Sequence, residues 1–123
     1  SDALIYRIIF NLTENAIKYN RPDGSVQVCI TQEPEKLLIL VSDTGRGIPE
    51  EYQQSIFQPF FRVDKSRSRT FGGAGLGLAL VWEIAALHGG SVRVAESSDS
   101  GTTIAAELPR SGNHAADSKN EML

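Results

Sequence analysis

The stretch "TFGGAGLGLAL" (Thr70–Leu80) holds four glycines, Gly72, Gly73, Gly75 and Gly77, and turns apolar from Leu76. Glycines that open a helix let backbone N–H groups approach an anion, and the new helix aims its positive end at it. Phosphate binding is one reading; a flexible turn packed against its neighbours is the other. A Walker A loop requires Lys-Ser/Thr after its glycines, where Leu and Ala follow here. A Rossmann fingerprint requires a strand directly before G-x-G-x-x-G, whereas the segment before these glycines is a basic loop and their spacing differs. The two common nucleotide folds are therefore disfavoured.

Working outward, Leu76–His88 has helical periodicity and is stopped by Gly89-Gly90. Asp2–Tyr19 is a second helix, with Ile5, Ile9, Leu12 and Ala16 on one stripe and Asp2 as candidate N-cap. "NRPDGS" (Asn20–Ser25) breaks it. Ser25–Thr31 alternates as a strand, and Lys36–Asp43 is a continuous apolar run that predicts a strand buried on both faces. "QEPE" joins the two as a hairpin. A short helix is expected near Glu50–Ile56, followed by a loop to Gly73. Ser91–Glu96 and Thr102–Leu108 read as strands around "SSDSG", and Pro109 ends the fold. This order predicts a two-layer α/β sandwich, a mixed and mostly antiparallel sheet covered on one face by helices. The domain is expected to span residues 1–110, with 111–123 a polar, disordered tail.

The chain has 123 residues, 41% apolar and 22% charged, as in an ordinary single domain. A net charge of −3 without a basic stripe argues against nucleic-acid binding. Cys29, the single cysteine, excludes an internal disulfide and a Cys-based zinc site, and its strand setting predicts a buried, inert thiol. No apolar run is long enough to span a membrane and no signal peptide is evident. A cytoplasmic domain without direct membrane contact is expected, either of a soluble protein or the cytosolic part of a membrane-bound one, and cut from a longer chain because Ser1 leads straight into a helical pattern.

At 100° per residue, Asn11, Asn15 and Lys18 fall within about 60° of one another on the first helix. Partly buried amides need partners, so this face is either a helix-to-loop hydrogen-bond network or a ligand face. As a ligand face, an Asn oxygen suits Mg²⁺, which takes few protein ligands and completes its shell with water and phosphate. Lys18 offers a point charge to phosphate, and Tyr19 can pack on a sugar or base. Glu14 projects to solvent. In "SDTGRGIP", Asp43 ends a strand and Gly45 and Gly47 follow. A carboxylate accepts and does not donate, so it selects the amino group of adenine over the carbonyl of guanine, and the glycines let backbone lie against a flat base. A turn capped by Asp is the alternative.

Taken together, "NLTENAIKYN", "DTGRGIP", "FQPFFRVD", "GGAGLGLAL" and "GTTI" resemble the N, G1, F and G2 boxes and the final glycine motif of sensor histidine kinases, in that order. The resemblance covers Asp2 to Pro109 and implies the ATP-binding catalytic domain, with the Bergerat fold shared with gyrase and MutL. It assigns Asn15 to Mg²⁺ and Lys18 and Tyr19 to the nucleotide. Asp43 matches the adenine-selecting carboxylate, with Gly45, Gly47 and Ile48 beside the base and Thr102 in the final motif. Phe57 and Phe60 match the aromatics that anchor the ATP lid. Gly73, Gly75, Leu76 and Gly77 match the phosphate-wrapping turn. Asn11 matches the residue on the γ-phosphate side, where related ATPases carry a water-activating Glu; Asn cannot serve as that base, so rapid hydrolysis is not expected. Arg62 and Arg69, in a basic lid with Lys65 and Arg67, are the candidate phosphate contacts.

Three positions depart from the family pattern. Ala74 stands where Thr or Ser is frequent, Asn20 where a small hydroxyl residue is frequent, and Trp82 where Lys or Arg is common. Trp82 is either a partner-facing anchor or a cover over core at a helix edge. The family also has a strand before the first helix that does not occur within this sequence. The implied reaction is transfer of the ATP γ-phosphoryl to a histidine on an upstream dimerisation domain, then to a response regulator receiver domain, within a homodimer. His88, at a helix end, is expected to cap carbonyls, and His114 lies in the tail, so neither is the expected acceptor and the fragment should not label itself. A different Bergerat ATPase or serine-type anti-sigma kinase, and a nucleotide-sensing module without transferase activity, are the competing readings.

Overall fold

The computed structural model describes residues 2–61 and 76–110. Two helices, α1 (Asp2–Lys18) and α2 (Gly77–Leu87), lie on one face of a four-stranded sheet built from β1 (Val26–Gln32), β2 (Lys36–Asp43), β3 (Ser91–Ser98) and β4 (Gly101–Pro109). The strand order is β1-β2-β4-β3, and all three pairings among the described residues are antiparallel.

Directly paired residues share a face, so the register sorts the sheet into rows. On the helix-facing side, Leu37 pairs with Leu108, Ile39 with Ala106, and Val41 with Ile104; Val92 and Val94 extend the last two rows on β3. These residues meet Ile8, Leu12 and Ala16 of α1 and Val81, Ile84 and Ala85 of α2 in one core. Ile8 and Leu12 are fully buried, so the stripe on α1 is centred between them, with the expected Ile5 and Ile9 only partly buried at its margins. Truncating Leu12 to Ala in such a core costs about 2–5 kcal/mol.

α2 ends as its sequence dictates. Gly89 takes a left-handed φ of 76°, Gly90 N–H reaches the Ala85 carbonyl at 2.8 Å, and Gly89 N–H reaches Ala86 at 2.9 Å. This pairing satisfies carbonyls that the helix itself leaves open. His88 Nδ1 donates to the Ile84 carbonyl at 2.9 Å, the capping role expected of it. At the end of β4, Arg110 donates its N–H to Glu35 and its guanidinium to the Glu33 carbonyl, fastening the strand to the β1–β2 hairpin.

Four local expectations are corrected. Cys29 is exposed, because the alternation that turns Val28 and Ile30 towards the helix layer turns Cys29 to the uncovered face. Even Val28 and Ile30 are largely exposed, since β1 is an edge strand and α1 lies mainly over β2. β2 is fully buried on one face and half-buried on the other, not buried on both. Asp2 is in the first turn of α1 rather than at its cap, where its charge still favours the helix dipole. The helix expected near Glu50–Ile56 is two single 3₁₀ turns, Glu50–Tyr52 and Ser55–Phe57, because Pro49 and the few apolar residues support no longer amphipathic face.

Candidate functional site

The apolar rows of the sheet stop at one end. There the helix-facing row is Asp43, Thr102 and Ser97, across β2, β4 and β3. Asp43 Oδ1 accepts the Gly45 N–H at 2.9 Å and the Thr102 N–H at 3.2 Å. Both donors meet the same oxygen, which fixes the carboxylate and leaves Oδ2 as its open acceptor among the described residues. The expected Asp-capped turn is therefore present through one oxygen, and the other carries no hydrogen bond among the described residues.

The glycines of this loop have steric reasons. A Cβ on Gly45 would lie 3.0 Å from the Tyr19 carbonyl and 3.1 Å from Asp43 Oδ1, so the loop closes directly on the end of α1. Gly47 has φ +84°, and a Cβ there would run into the Ser98 carbonyl. The loop is thus pressed between the end of α1 and the β3–β4 turn. Ile48 is held at both ends of its peptide, N–H to Ser97 Oγ at 2.8 Å and C=O from Gln53 Nε2 at 2.9 Å.

The α1 face arrives at this end of the sheet through Tyr19 and Asn20. Asn11 is buried, 8% exposed, and its Nδ2 has no hydrogen-bond partner among the described residues. Asn15 and Lys18 are half-buried on the same face, and Tyr19 is exposed. For Asn11, no helix-to-loop hydrogen bond to Nδ2 is found among the described residues. Asn20, where the family pattern has a small hydroxyl, donates Nδ2–H to the Ser25 carbonyl at 2.8 Å and accepts from Arg21 N–H at 2.8 Å. Thr44 Oγ1 donates to the same Asn20 oxygen at 3.3 Å. The longer amide thereby braces the α1–β1 turn against the Asp43 loop.

The two phenylalanines separate. Phe57 is core, 6% exposed, and stacks on Trp82 with ring centroids 5.4 Å apart. Phe60 is 63% exposed and takes φ +64°, an outlier for a bulky residue. Trp82 is half-exposed, and its contact with Phe57 supports the reading as a cover over core. Leu76 and Gly77 begin α2 at the surface; a Cβ on Gly77 would touch nothing within 4 Å among the described residues, so packing does not explain that glycine. Arg62, Arg69, Gly73, Ala74, Gly75 and His114 lie outside the described residues.

No three or more His, Cys, Asp or Glu side chains cluster among the described residues as a metal cage. A divalent ion here would depend on one or two amide oxygens and on the phosphates of a ligand, which the Asn15 face fits. No described helix is long and apolar enough to cross a membrane. The structure brings Asp43 and Thr102, both expected site residues, into one row with Ser97, which sequence reasoning did not single out and whose direction depends on a strand irregularity that no residue type marks.

The family of histidine kinase-, DNA gyrase B-, and HSP90-like ATPases matches residues 1–112. This chain belongs to that family. Among curated proteins it is 40% identical over 103 residues to the circadian input-output histidine kinase CikA of Synechococcus elongatus, covering 84% of this chain and 14% of that protein. It is 40% identical over 107 residues to the sensor histidine kinase WalK of Bacillus subtilis, covering 85% and 18%. Among solved structures, the mycobacterial sensor histidine kinase MprB superposes with a TM-score of 0.76 at 34% identity, covering 89% of this chain and 74% of that one. Full-length ShkA in complex with AMPPNP gives 0.74 at 30% identity, covering 86% and 21%. The chain spans less than a third of the length of these curated relatives. The fold is the Bergerat fold of ATP-binding catalytic domains, and the expected relation to sensor histidine kinases holds.

Proposed function

We propose that this domain binds Mg-ATP and donates the γ-phosphoryl group to a histidine on another part of its full-length protein. The observation that carries the reading is the Asp43 carboxylate, pinned through one oxygen by Gly45 and Thr102 and open through the other, beside the Asn15–Lys18 face of α1. Asp43 Oδ2 accepts the adenine amino group, and Gly45, Gly47 and Ile48 lie along the base. Lys18 and Tyr19 contact the nucleotide beyond the base. Asn15 would hold a magnesium ion, which would supply charge neutralisation across the phosphates. Gly73, Gly75, Leu76 and Gly77 wrap the phosphates, with Arg62 and Arg69 as their cationic partners, and Phe57 and Phe60 anchor the lid from the core side and the surface side.

In the transfer, the bond from γ-phosphorus to the β–γ bridging oxygen breaks as a bond to a ring nitrogen forms, and ADP leaves. Such transfers rest on positioning and charge neutralisation rather than covalent chemistry by the donor domain. Asn11 sits where a base would activate water and has no basic group, which favours transfer over hydrolysis. The acceptor belongs to an upstream dimerisation domain, the full-length protein works as a homodimer in the cytoplasm, and the phosphoryl group passes on to a response regulator receiver domain. In this reading the catalytic unit spans residues 1–110.

Incubating the chain with γ-labelled Mg-ATP and the separately expressed upstream part of its parent protein tests this. Acid-labile label on the upstream part, and none on the chain alone, is expected. Absence of ATP binding by calorimetry would sink the reading.

A further inference from the structure

Ser97 owes its direction to a bulge. Val94 pairs with Ile104 and Glu96 with Thr103, so Ala95 is an extra residue in β3. In a regular strand Glu96 would stand opposite Thr102 and bring a second carboxylate into the Asp43 row. The extra residue puts Ser97 there instead, as bulges near functional sites re-aim side chains. The Ser97 Oγ accepts the Ile48 N–H at 2.8 Å and lies 2.9 Å from Thr102 Oγ1. Thr102 is 5% exposed, and its own N–H is committed to Asp43.

We propose that Ser97 is a positioning residue that turns the Thr102 hydroxyl into the hydrogen-bond donor of the base pocket. The proposal rests on the nucleotide-binding reading above. A hydroxyl has one proton and two lone pairs. Ile48 N–H takes one Ser97 lone pair, the Ser97 proton goes to Thr102 Oγ1, and the Thr102 proton is released towards the ligand. Asp43 Oδ2 and Thr102 O–H then form an adjacent acceptor and donor. Adenine presents the complement on its Watson–Crick edge, an amino donor beside the N1 acceptor. Guanine presents a carbonyl beside N1–H and meets like groups at both positions. Ser97 therefore contributes to base selection without touching the base.

The test is a calorimetric cycle with ADP and 1-deaza-ADP, in which N1 is replaced by C–H, on the parent chain, Ser97→Ala and Ser97→Thr. The parent is expected to prefer ADP by about tenfold, the scale of one buried hydrogen bond. Ser97→Ala should weaken ADP about five- to tenfold and leave 1-deaza-ADP within about twofold, because its target atom is already missing. Ser97→Thr should match the parent with both ligands. An equal loss for both nucleotides in Ser97→Ala would make Ser97 a merely structural residue and overturn the proposal, while leaving nucleotide binding intact. A parent that binds neither ligand overturns the nucleotide reading and this inference with it. If Ser97→Ala loses its fold by circular dichroism, Ser97→Cys, whose thiol is a weak donor, carries the same comparison.

Discussion

On the proposed reading, the end of the site given to the base and the end given to the phosphates are built on opposite terms. At the base end, Asp43 Oδ1 is satisfied by two backbone donors, Ile48 is held at both peptide groups, and Asn20 braces the adjoining turn. At the phosphate end, Asn11 keeps a buried amide donor that has no partner among the described residues. The first is finished by the protein and ready for a rigid, planar ligand. The second is left open in polar terms, and its penalty, about 1–3 kcal/mol for an unsatisfied buried group, is offset by the packing of the neighbouring Ile8 and Leu12. On the proposed reading, rigidity sits where the base is recognised, and unmet hydrogen-bond capacity sits on the side given to the phosphates.

The largest expected effect attacks the finished end. Asp43→Asn should weaken ADP by roughly 1–3 kcal/mol, because an amide replaces the charged acceptor. Unchanged affinity in a calorimetric titration would remove Asp43 from the base pocket and dissolve the contrast. A smaller change is expected at the other end. Asn15→Ala should bring the ATP isotherms measured with Mg²⁺ and with EDTA closer together, narrowing their gap by about 1 kcal/mol, the scale of one lost ligand-side contact. If the two isotherms stay as far apart as in the parent, the metal assignment is wrong. The smallest change has the opposite sign. Asn11→Leu, with the same branched skeleton and free of the orphan donor, should raise the urea midpoint, a gain of up to about 1 kcal/mol, while lowering phosphoryl transfer to the upstream part. A loss of stability would show that Asn11 is satisfied in solution and that both ends are equally finished.

Much of this was legible in the chain. β2 runs over Lys36–Asp43 as its apolar run demanded, and α2 stops at Gly89 because two glycines supply the left-handed turn. Asp43 could be read because a carboxylate at a strand end followed by two glycines constrains both its backbone and its hydrogen bonds. Burial on β1 could not be read: Val26, Val28 and Ile30 have the alternation of a covered strand, and alternation names a face without saying what lies over it. Cys29 was misread for the same reason, since hydrophobicity was assigned to a residue whose parity turns it away from the helices. The bulge at Ala95 leaves no compositional mark, so Ser97 was assigned to no role although its neighbour Thr102 was. Asn11 was correctly placed on the polar face, yet that its amide would remain unpartnered depends on packing between distant elements.

The Arg21 guanidinium donates to the Asp99 carbonyl at 2.8 Å, joining turns 78 residues apart, and the Thr102 amide reaches Asp43 across 59 residues. Contacts of such separation form late, because closing the intervening chain comes before any gain. During synthesis, Asp43 and its glycines leave the ribosome long before the amide that fixes the carboxylate. A growing chain therefore carries the carboxylate proposed to select adenine before the amide that fixes it is present. On the proposed reading, the Asp43 pocket is complete only once β4 has docked beside β2.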